Sequence, residues 1–187
     1  LGTVAALGLS RPHMPFKAVL MAILISPMIV PLIITAAGMF FFYSKIGLTH
    51  TYLGLILAHT ALGTPFVVIT VTATLTGFDT NLIRASQSLG ADTLRTFFKV
   101  IMPLILPGVI SGALFAFITS FDEVVVVLFI GSIEQVTIPK QMWAGLRQET
   151  SPVILSMATC LVLLSIALLT TVELLRRRSE RLRGINR

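Results

Sequence analysis

The sequence predicts an all-α integral membrane protein, built as a polytopic bundle of transmembrane helices. Only 12% of its 187 residues are charged and 55% are hydrophobic, whereas soluble domains contain about 25% charged residues. The charges are also clustered, because residues 18–44, 46–78, 100–121 and 150–172 contain no Asp, Glu, Lys or Arg. Each run exceeds the roughly 20 apolar residues that a helix needs to cross the hydrocarbon layer. These features exclude a soluble globular domain and a disordered chain.

Taken in chain order, the uncharged runs define the spans within one transmembrane domain over residues 1–187. Residues 1–9 are apolar and are interpreted as the end of a partial span. Complete spans are predicted at about 18–42, 52–75, 107–130 and 153–175, with a loop over 76–106 and another over 131–152.

Prolines and small residues refine two of these spans. Pro27 and Pro31 predict a kink in the span over 18–42, because they leave backbone carbonyls without donors. Pro103 and Pro107 suit the start of a helix, which favours a span over 107–130 rather than 100–121. In that span Gly108, Gly112 and Ala116 recur every four residues, a pattern typical of close helix packing.

The basic residues predict the orientation of the chain. Cytoplasmic loops of membrane proteins carry an excess of Lys and Arg, and the C-terminal segment RRRSERLRGINR is strongly basic. With this segment in the cytoplasm, the loop over 76–106 is also cytoplasmic and the loop over 131–152 is outside. Eleven basic residues then lie inside, and only Lys45, Lys140 and Arg147 lie outside. The net charge of +6 is therefore an orientation signal and predicts no nucleic-acid partner.

The long cytoplasmic loop has the pattern of two short helices joined by a glycine. Leu82, Ala85, Ser86 and Leu89 recur at helical spacing, Gly90 follows as a helix-ending glycine, and a second amphipathic stretch begins at Leu94. An exposed apolar stripe of this kind favours contact with a protein partner. The alternative is an amphipathic segment that lies on the bilayer surface.

This loop resembles the EAA loop of the membrane subunits of binding-protein-dependent ABC importers. The resemblance rests on RASQSLGA at 84–91 and on FFKVIMPLILP at 97–107, with thirteen residues from Gly90 to Pro103. Arg84 departs from the acidic residue of the family pattern, and Ser86 from an alanine. The resemblance implies that the loop docks on a separate ATPase subunit through Arg84, Ala85, Ser86, Leu89, Gly90, Ala91, Phe97 and Pro103.

The resemblance extends from Leu1 to about Arg183 and is closest to the spermidine/putrescine permease subfamily. Its residues include FITSFDEVVV at 117–126, Ile138-Pro139 and Met142-Trp143. It implies a type I permease fold in the bacterial inner membrane, with a second permease subunit, an extracytoplasmic binding protein and the lipid bilayer as partners. Members usually have six spans, so this chain is expected to be truncated at its N-terminus, without the first span and most of the second.

No enzyme activity is predicted for this chain. It contains no G-x-x-x-x-G-K-[ST] phosphate-binding motif, so ATP and magnesium are expected on the separate ATPase and no cofactor on this chain. His13, His50 and His59 lack the spacing of metal ligands, so no metal site is predicted.

Asp122 and Glu123 are the only adjacent acidic pair in an apolar context. Charges inside a bilayer are costly and usually face a water-filled path or a partner, so both residues are candidates for the substrate pathway. Neighbouring residues point about 100° apart on a helix, which favours Asp122 as the one that faces the path. A structural hydrogen bond, or an ion pair with the second permease, is the alternative.

Met142 and Trp143 are the candidate contacts with the binding protein, the alternative being an interfacial anchor for Trp143. The predicted function is the permease subunit of an ATP-driven importer for polyamines or similar small organic cations. The alternative function is a secondary transporter or channel fragment without an ATPase partner.

Overall fold

The structure is a computed structural model, which describes residues 1–11, 13–148 and 152–182. Within these ranges the chain is helical and forms no β-strand. The helices are α1 (Gly2–Leu9), α2 (Lys17–Ile29), α3 (Leu32–Lys45), α4 (Tyr52–Thr76), α5 (Asn81–Ser88), α6 (Thr93–Thr96), α7 (Met102–Phe121), α8 (Val125–Ile130), α9 (Ile138–Gln148) and α10 (Pro152–Leu182).

Three helical segments of the described chain are long and apolar enough to cross a membrane, at Tyr52–Thr76, Thr93–Phe121 and Pro152–Thr171. The region over 18–42, expected to be one kinked span, is instead two helices, α2 and α3, which meet at an angle of 107°. Pro31 has no N–H to continue the helix, and Val30 before it is extended with ψ 135°, as the residue before a proline prefers. The expected kink is thus a break.

The span predicted over 107–130 begins earlier and ends earlier than expected. One helical segment runs from Thr93 to Phe121, in which Pro103 is the second residue of α7 and Pro107 lies within α7. A short π-helical turn at Phe97–Ile101 precedes Pro103, and such a turn accommodates a proline by widening the helix. The helix stops at Phe121, so Asp122 and Glu123 lie in the connection to α8 rather than within a span.

Close packing of α4 on α7 organises the described chain, and glycine makes it possible. A Cβ atom at Gly112 would lie 2.7 Å from the Cα of Val67, and one at Gly108 would lie 3.0 Å from the carbonyl oxygen of Thr70. A Cβ at Gly63 on α4 would in turn lie 3.0 Å from the Cβ of Ala116. The predicted stripe of small residues on α7 is therefore a helix-packing surface.

Two buried clusters lie at different levels of the bundle. One joins α3, α4 and α8 and includes Tyr43, Leu62, Val126, Val127 and Ile130. The other joins α1, α4 and α7 through Ala6, Val71 and Ile105. By contrast, the apolar stretch of α10 over Pro152–Thr171 has no buried residue in the described chain, which leaves this surface for lipid or another subunit.

Candidate functional site

A groove lies where two helices are interrupted next to each other. Its volume is about 580 Å³, and one wall is formed by the break between α2 and α3 and the other by the break between α7 and α8. The residues that line it are Pro27, Met28, Ile29, Val30, Pro31, Leu32, Leu62, Phe66, Ile118, Thr119, Asp122 and Glu123. We call this space the Asp122 groove. Irregular backbone at membrane depth is tolerated where it lines a cavity.

The two acids have different surroundings. The Asp122 carboxylate is exposed at the C-terminus of α7. Glu123 is only 5% exposed, and its Oε1 and Oε2 accept hydrogen bonds from the backbone N–H groups of Val126 at 2.7 Å and Val127 at 3.2 Å. Glu123 therefore caps α8, because it accepts hydrogen bonds from two of the first N–H groups of that helix, which have no acceptor within the helix. The exposed Asp122 carboxylate is accessible to a ligand.

The break between α2 and α3 also leaves helix-terminal backbone groups among the residues that line the groove. In a continuous helix the carbonyl of Pro27 would accept from the N–H of residue 31, but Pro31 has none. The C-terminus of α2 also carries the partial negative charge of a helix end. Because the N-terminus of α3 at the same break carries the opposite partial charge, the exposed Asp122 carboxylate is the feature of the groove that favours a cation.

The predicted coupling segment lies outside this groove, at the other end of α7. Helix α5 ends in a Schellman arrangement, in which the N–H of Ala91 donates to Ser86 O at 3.1 Å and the N–H of Gly90 donates to Gln87 O at 2.9 Å. Gly90 has a φ of +80°, which glycine adopts without strain. The Asp92 carboxylate then accepts from the N–H of Arg95 at 2.7 Å and caps the next helix.

One hydrogen bond holds the two arms of this segment together. The hydroxyl groups of Ser86 and Thr96 lie 2.9 Å apart, and Thr96 is buried. Since Thr96 belongs to the helical segment that continues to Phe121, this contact joins α5 directly to the helix that ends beside Asp122.

The other predicted coupling residues differ in exposure. Arg84 and Ala85 are exposed on α5, and Leu89, directly after its last residue, is 89% exposed. Phe97 is half-buried in a cavity of about 410 Å³ between the ends of α1 and α4 and the segment α5–α6. Pro103 is exposed on α7, one turn above the segment.

The loop after α8 is fixed by a lysine. The Lys140 ammonium donates to the carbonyls of Ser132 at 2.6 Å and Gln135 at 3.1 Å. The predicted binding-protein contacts follow on α9, where Met142 is half-buried and Trp143 is 44% exposed. Neither residue lines the Asp122 groove, so the three predicted groups of site residues are spatially separate.

One polar contact was missed by the sequence analysis. Ser120 Oγ lies 2.9 Å from His59 Nδ1 and joins α7 to α4. The 61 intervening residues hide this pairing from any local pattern, and the histidines were considered only as metal ligands. The available signal was a lone histidine within an otherwise apolar span.

Comparison with known proteins places this geometry in a family. The model for the inner membrane component of binding-protein-dependent transport systems matches residues 1–181. The spermidine/putrescine transport system permease protein PotC of Haemophilus influenzae is 30% identical over 96% of this chain and 70% of its own length. PotC of Escherichia coli K12 is 29% identical over 95% of this chain and 67% of its own length.

Two further relatives extend the comparison. The putrescine transport system permease protein PotI of Escherichia coli K12 is 29% identical over 87% of this chain and 60% of its own length. A solved structure of the methionine ABC transporter MetNI, in inward-facing conformations, matches with a TM-score of 0.75 and 21% identity. That match covers 96% of this chain and 86% of the other, and it shows a shared type I permease fold.

Proposed function

The chain belongs to the family of binding-protein-dependent transport system inner membrane components, and from this premise we propose that it forms part of the pathway for a polyamine or a similar small organic cation. It is the permease component of an ABC importer, close to polyamine permeases. The proposal about its substrate rests on one observation: Asp122 exposes a carboxylate in a groove between two broken helices. The names of the relatives, which refer to spermidine and putrescine, agree with that charge.

A separate ATPase supplies the energy in this proposal. It binds ATP and magnesium, this chain carries no cofactor, and the exposed face of α5 with Arg84, Ala85 and Leu89 docks against it. Ser86, Gly90, Ala91, Phe97 and Pro103 keep that face in a fixed relation to α7. A helix that lies in a groove of a partner is a common recognition mode, and the Ser86–Thr96 contact of 2.9 Å supports transmission to α7.

The remaining partners follow from the same arrangement. The basic C-terminal segment lies in the cytoplasm, so that the loop over 131–137 and helix α9 lie outside, where Met142 and Trp143 contact the binding protein. A second permease subunit completes the pathway along the open side of the Asp122 groove. The protein is then a multi-pass component of the bacterial inner membrane.

The substrate is tested by neutralising Asp122. The complete importer, with its ATPase, second permease and binding protein, is reconstituted in liposomes, and uptake of radiolabelled putrescine and spermidine is measured. We expect Asp122→Asn to reduce uptake at least about fivefold, since one lost ionic contact at a partly screened site is worth about 1 kcal/mol or more. Asp122→Glu keeps the charge and is expected to retain most of the uptake. Unchanged uptake kinetics in Asp122→Asn would reject a substrate role for this carboxylate.

A further inference from the structure

Helix α5 has one side that is fixed against the rest of the chain. Ile83 and Gln87 line the cavity of about 410 Å³ that α5 forms with the ends of α1 and α4, and Ser86 Oγ lies 2.9 Å from the hydroxyl of the buried Thr96. Residues three and four apart share a helix face, so the other side of α5 points outward. The residues of that side are all exposed, and we call them the α5 outer face: Asn81, Arg84, Ala85 and Ser88.

Arg84 gives the α5 outer face an unpaired positive charge. It is the one charged residue of this helix, whose sequence is NLIRASQS. The nearest carboxylates along the chain, those of Asp79 and Asp92, accept from the backbone N–H groups of Asn81 at 2.9 Å and Arg95 at 2.7 Å. Within the described ranges the hydrogen bonds of Arg84 use only its backbone N–H and carbonyl, and its guanidinium has no ion-pair partner.

A protein that covers the α5 outer face removes this charge from water. Arg84 lies in the middle of a helix of 8 residues, and Ala85 and Ser88 beside it are too small to hold a partner surface away. A guanidinium does not lose its proton in proteins, so Arg84 cannot become neutral when it is covered. A charge that is buried without a partner is strongly unfavourable. The covering surface must therefore supply a carboxylate at this point.

We infer that the ATPase holds an acidic side chain against Arg84, and that this ion pair selects which ATPase the permease accepts. The inference rests on the proposed function, which makes the ATPase the occupant of this face. An arginine and a carboxylate can form two parallel hydrogen bonds, so the pair fixes the orientation of the docked helix as well as its affinity. An ATPase with a neutral or basic side chain at that point leaves Arg84 unpaired or repelled, and is rejected.

A lipid headgroup is the other source of negative charge near a membrane. A helix that lies on a bilayer inserts bulky apolar side chains beneath its charged ones. The α5 outer face has none of these, since its members are an asparagine, an arginine, an alanine and a serine. Small neighbours instead permit the close approach of a protein surface, which favours the ATPase.

The test measures the affinity of the ATPase that copurifies with the wild-type importer. The two permease subunits are reconstituted in nanodiscs of phosphatidylcholine, which carries no net charge, and the ATPase is titrated onto them. We expect Arg84→Gln to raise the Kd at least about tenfold, because it leaves the opposing carboxylate covered and unpaired. Arg84→Lys should give an intermediate Kd, since lysine keeps the charge without the two parallel bonds.

Arg95→Gln is the matched control. It removes the same charge from an exposed residue of α6, outside the α5 outer face, and should change the Kd by about twofold or less. Equal effects of Arg84→Gln and Arg95→Gln would overturn the inference, because a general positive field would then attract the ATPase. An Arg84→Gln effect that requires anionic lipid in the nanodisc would also overturn it, because the guanidinium would then bind a headgroup.

The acidic partner is located by changing the ATPase. Its exposed Asp and Glu residues are replaced singly by Asn and Gln, and each variant is titrated onto the wild-type and the Arg84→Gln permease pairs. One of these changes should raise the Kd for the wild type and remove the further effect of Arg84→Gln, as residues in contact do in a double-mutant cycle. The inference is wrong if no acidic residue of the ATPase behaves in this way.

The inference and the proposed function fail in different ways. An ATPase that binds the wild type and Arg84→Gln with equal Kd, in an importer whose uptake requires ATP, would contradict only the acidic partner. Putrescine uptake that needs no ATPase, by a chain that no ATPase binds, would contradict the proposed function and the inference with it.

Discussion

Asp122 and Glu123 are adjacent in the chain, yet their surroundings differ: Asp122 is exposed and Glu123 is buried. Their sequence context identified two costly charges and favoured Asp122 for the pathway, on the argument that neighbours on a helix point in different directions. The structure separates them for another reason, because the helix ends at Phe121 and Glu123 turns back to cap α8. The functional role of Asp122 remains a prediction, whereas the contacts of Glu123 are structural.

Neutralising Glu123 is expected to destabilise the protein. Glu123→Gln weakens the two bonds to Val126 and Val127, and losing a helix-capping acceptor costs about 0.5–2 kcal/mol. Thermal unfolding in detergent, followed by tryptophan fluorescence, should show a fall of several degrees in Tm. Asp122→Asn is the matched control at the exposed neighbour and should leave Tm unchanged. Equal Tm values for the wild type and Glu123→Gln would contradict the capping role.

At the scale of the element, glycine determines how closely α7 approaches α4. The four-residue spacing of Gly108, Gly112 and Ala116 predicted a packing stripe from sequence alone. It could not identify the partner helix, since the face on α4 that receives it contains Gly63 and threonines without an obvious pattern. Their hydroxyl groups donate to backbone carbonyls of the same helix, as Thr70 Oγ1 does to Phe66 O at 2.9 Å. They can therefore pack against an apolar neighbour.

A methyl group at Gly112 is expected to force these helices apart. Its Cβ would lie 2.7 Å from the Cα of Val67, a backbone atom that cannot rotate away. Overpacking of this kind costs about 1–3 kcal/mol, so Gly112→Ala should lower Tm. Gly38 on α3 has nothing within 4 Å of its Cβ position, so Gly38→Ala should be neutral or stabilising, because alanine favours a helix. Equal effects of the two changes would contradict close packing at Gly112.

Gly90 is expected to matter for coupling rather than for packing. Nothing lies within 4 Å of a Cβ at this position, but its φ is +80°, and a left-handed conformation costs a residue with a side chain about 1–2 kcal/mol. Gly90→Ala should therefore disturb the turn between α5 and α6. It should reduce the stimulation of ATP hydrolysis by the substrate-loaded binding protein in the reconstituted importer.

Gly77 provides the control for this change. It also has open space at its Cβ position, but its φ is −93°, which alanine adopts readily. Gly77→Ala should leave the stimulation intact. Full stimulation in Gly90→Ala, with assembly unchanged, would exclude the segment 81–96 as the coupling element.

Helix boundaries were the weakest sequence predictions at this scale. Proline is ambiguous in a membrane segment: Pro31 breaks the chain into α2 and α3, while Pro103 and Pro107 lie within one continuous helical segment. The difference lies in tertiary context. A π-turn at Phe97–Ile101 directly precedes Pro103, and no local pattern encodes that adjustment. The glycine turn at Gly90, in contrast, depends on a local backbone requirement and was visible in the sequence.

At the scale of the whole molecule, charge spacing was sufficient to predict an all-α membrane protein. A helix crosses a bilayer when about 20 consecutive residues are mostly apolar. This chain has several uncharged runs of that length, separated by charged connections. Which helices pack against each other, and through which residues, was not predictable in the same way. The His59–Ser120 contact and the walls of the Asp122 groove depend on pairs of residues far apart in the chain.

The whole-molecule account also separates two ways of driving transport. An importer permease moves its substrate when a separate ATPase changes conformation, which biases a two-state packing of its helices. A secondary transporter would use an ion gradient across the same membrane. The family match over residues 1–181 favours the first, and Leu89 at the end of α5 is 89% exposed and accessible to a protein partner.

Accumulation of radiolabelled putrescine in sealed liposomes that contain the complete importer tests this claim most directly. ATP and magnesium are supplied on the side of the ATPase, and the substrate-loaded binding protein on the other. We predict accumulation that requires ATP and is lost when the ATPase subunit is omitted or when a non-hydrolysable ATP analogue replaces ATP. Accumulation driven by an imposed proton or sodium gradient, without the ATPase subunit, would contradict the account.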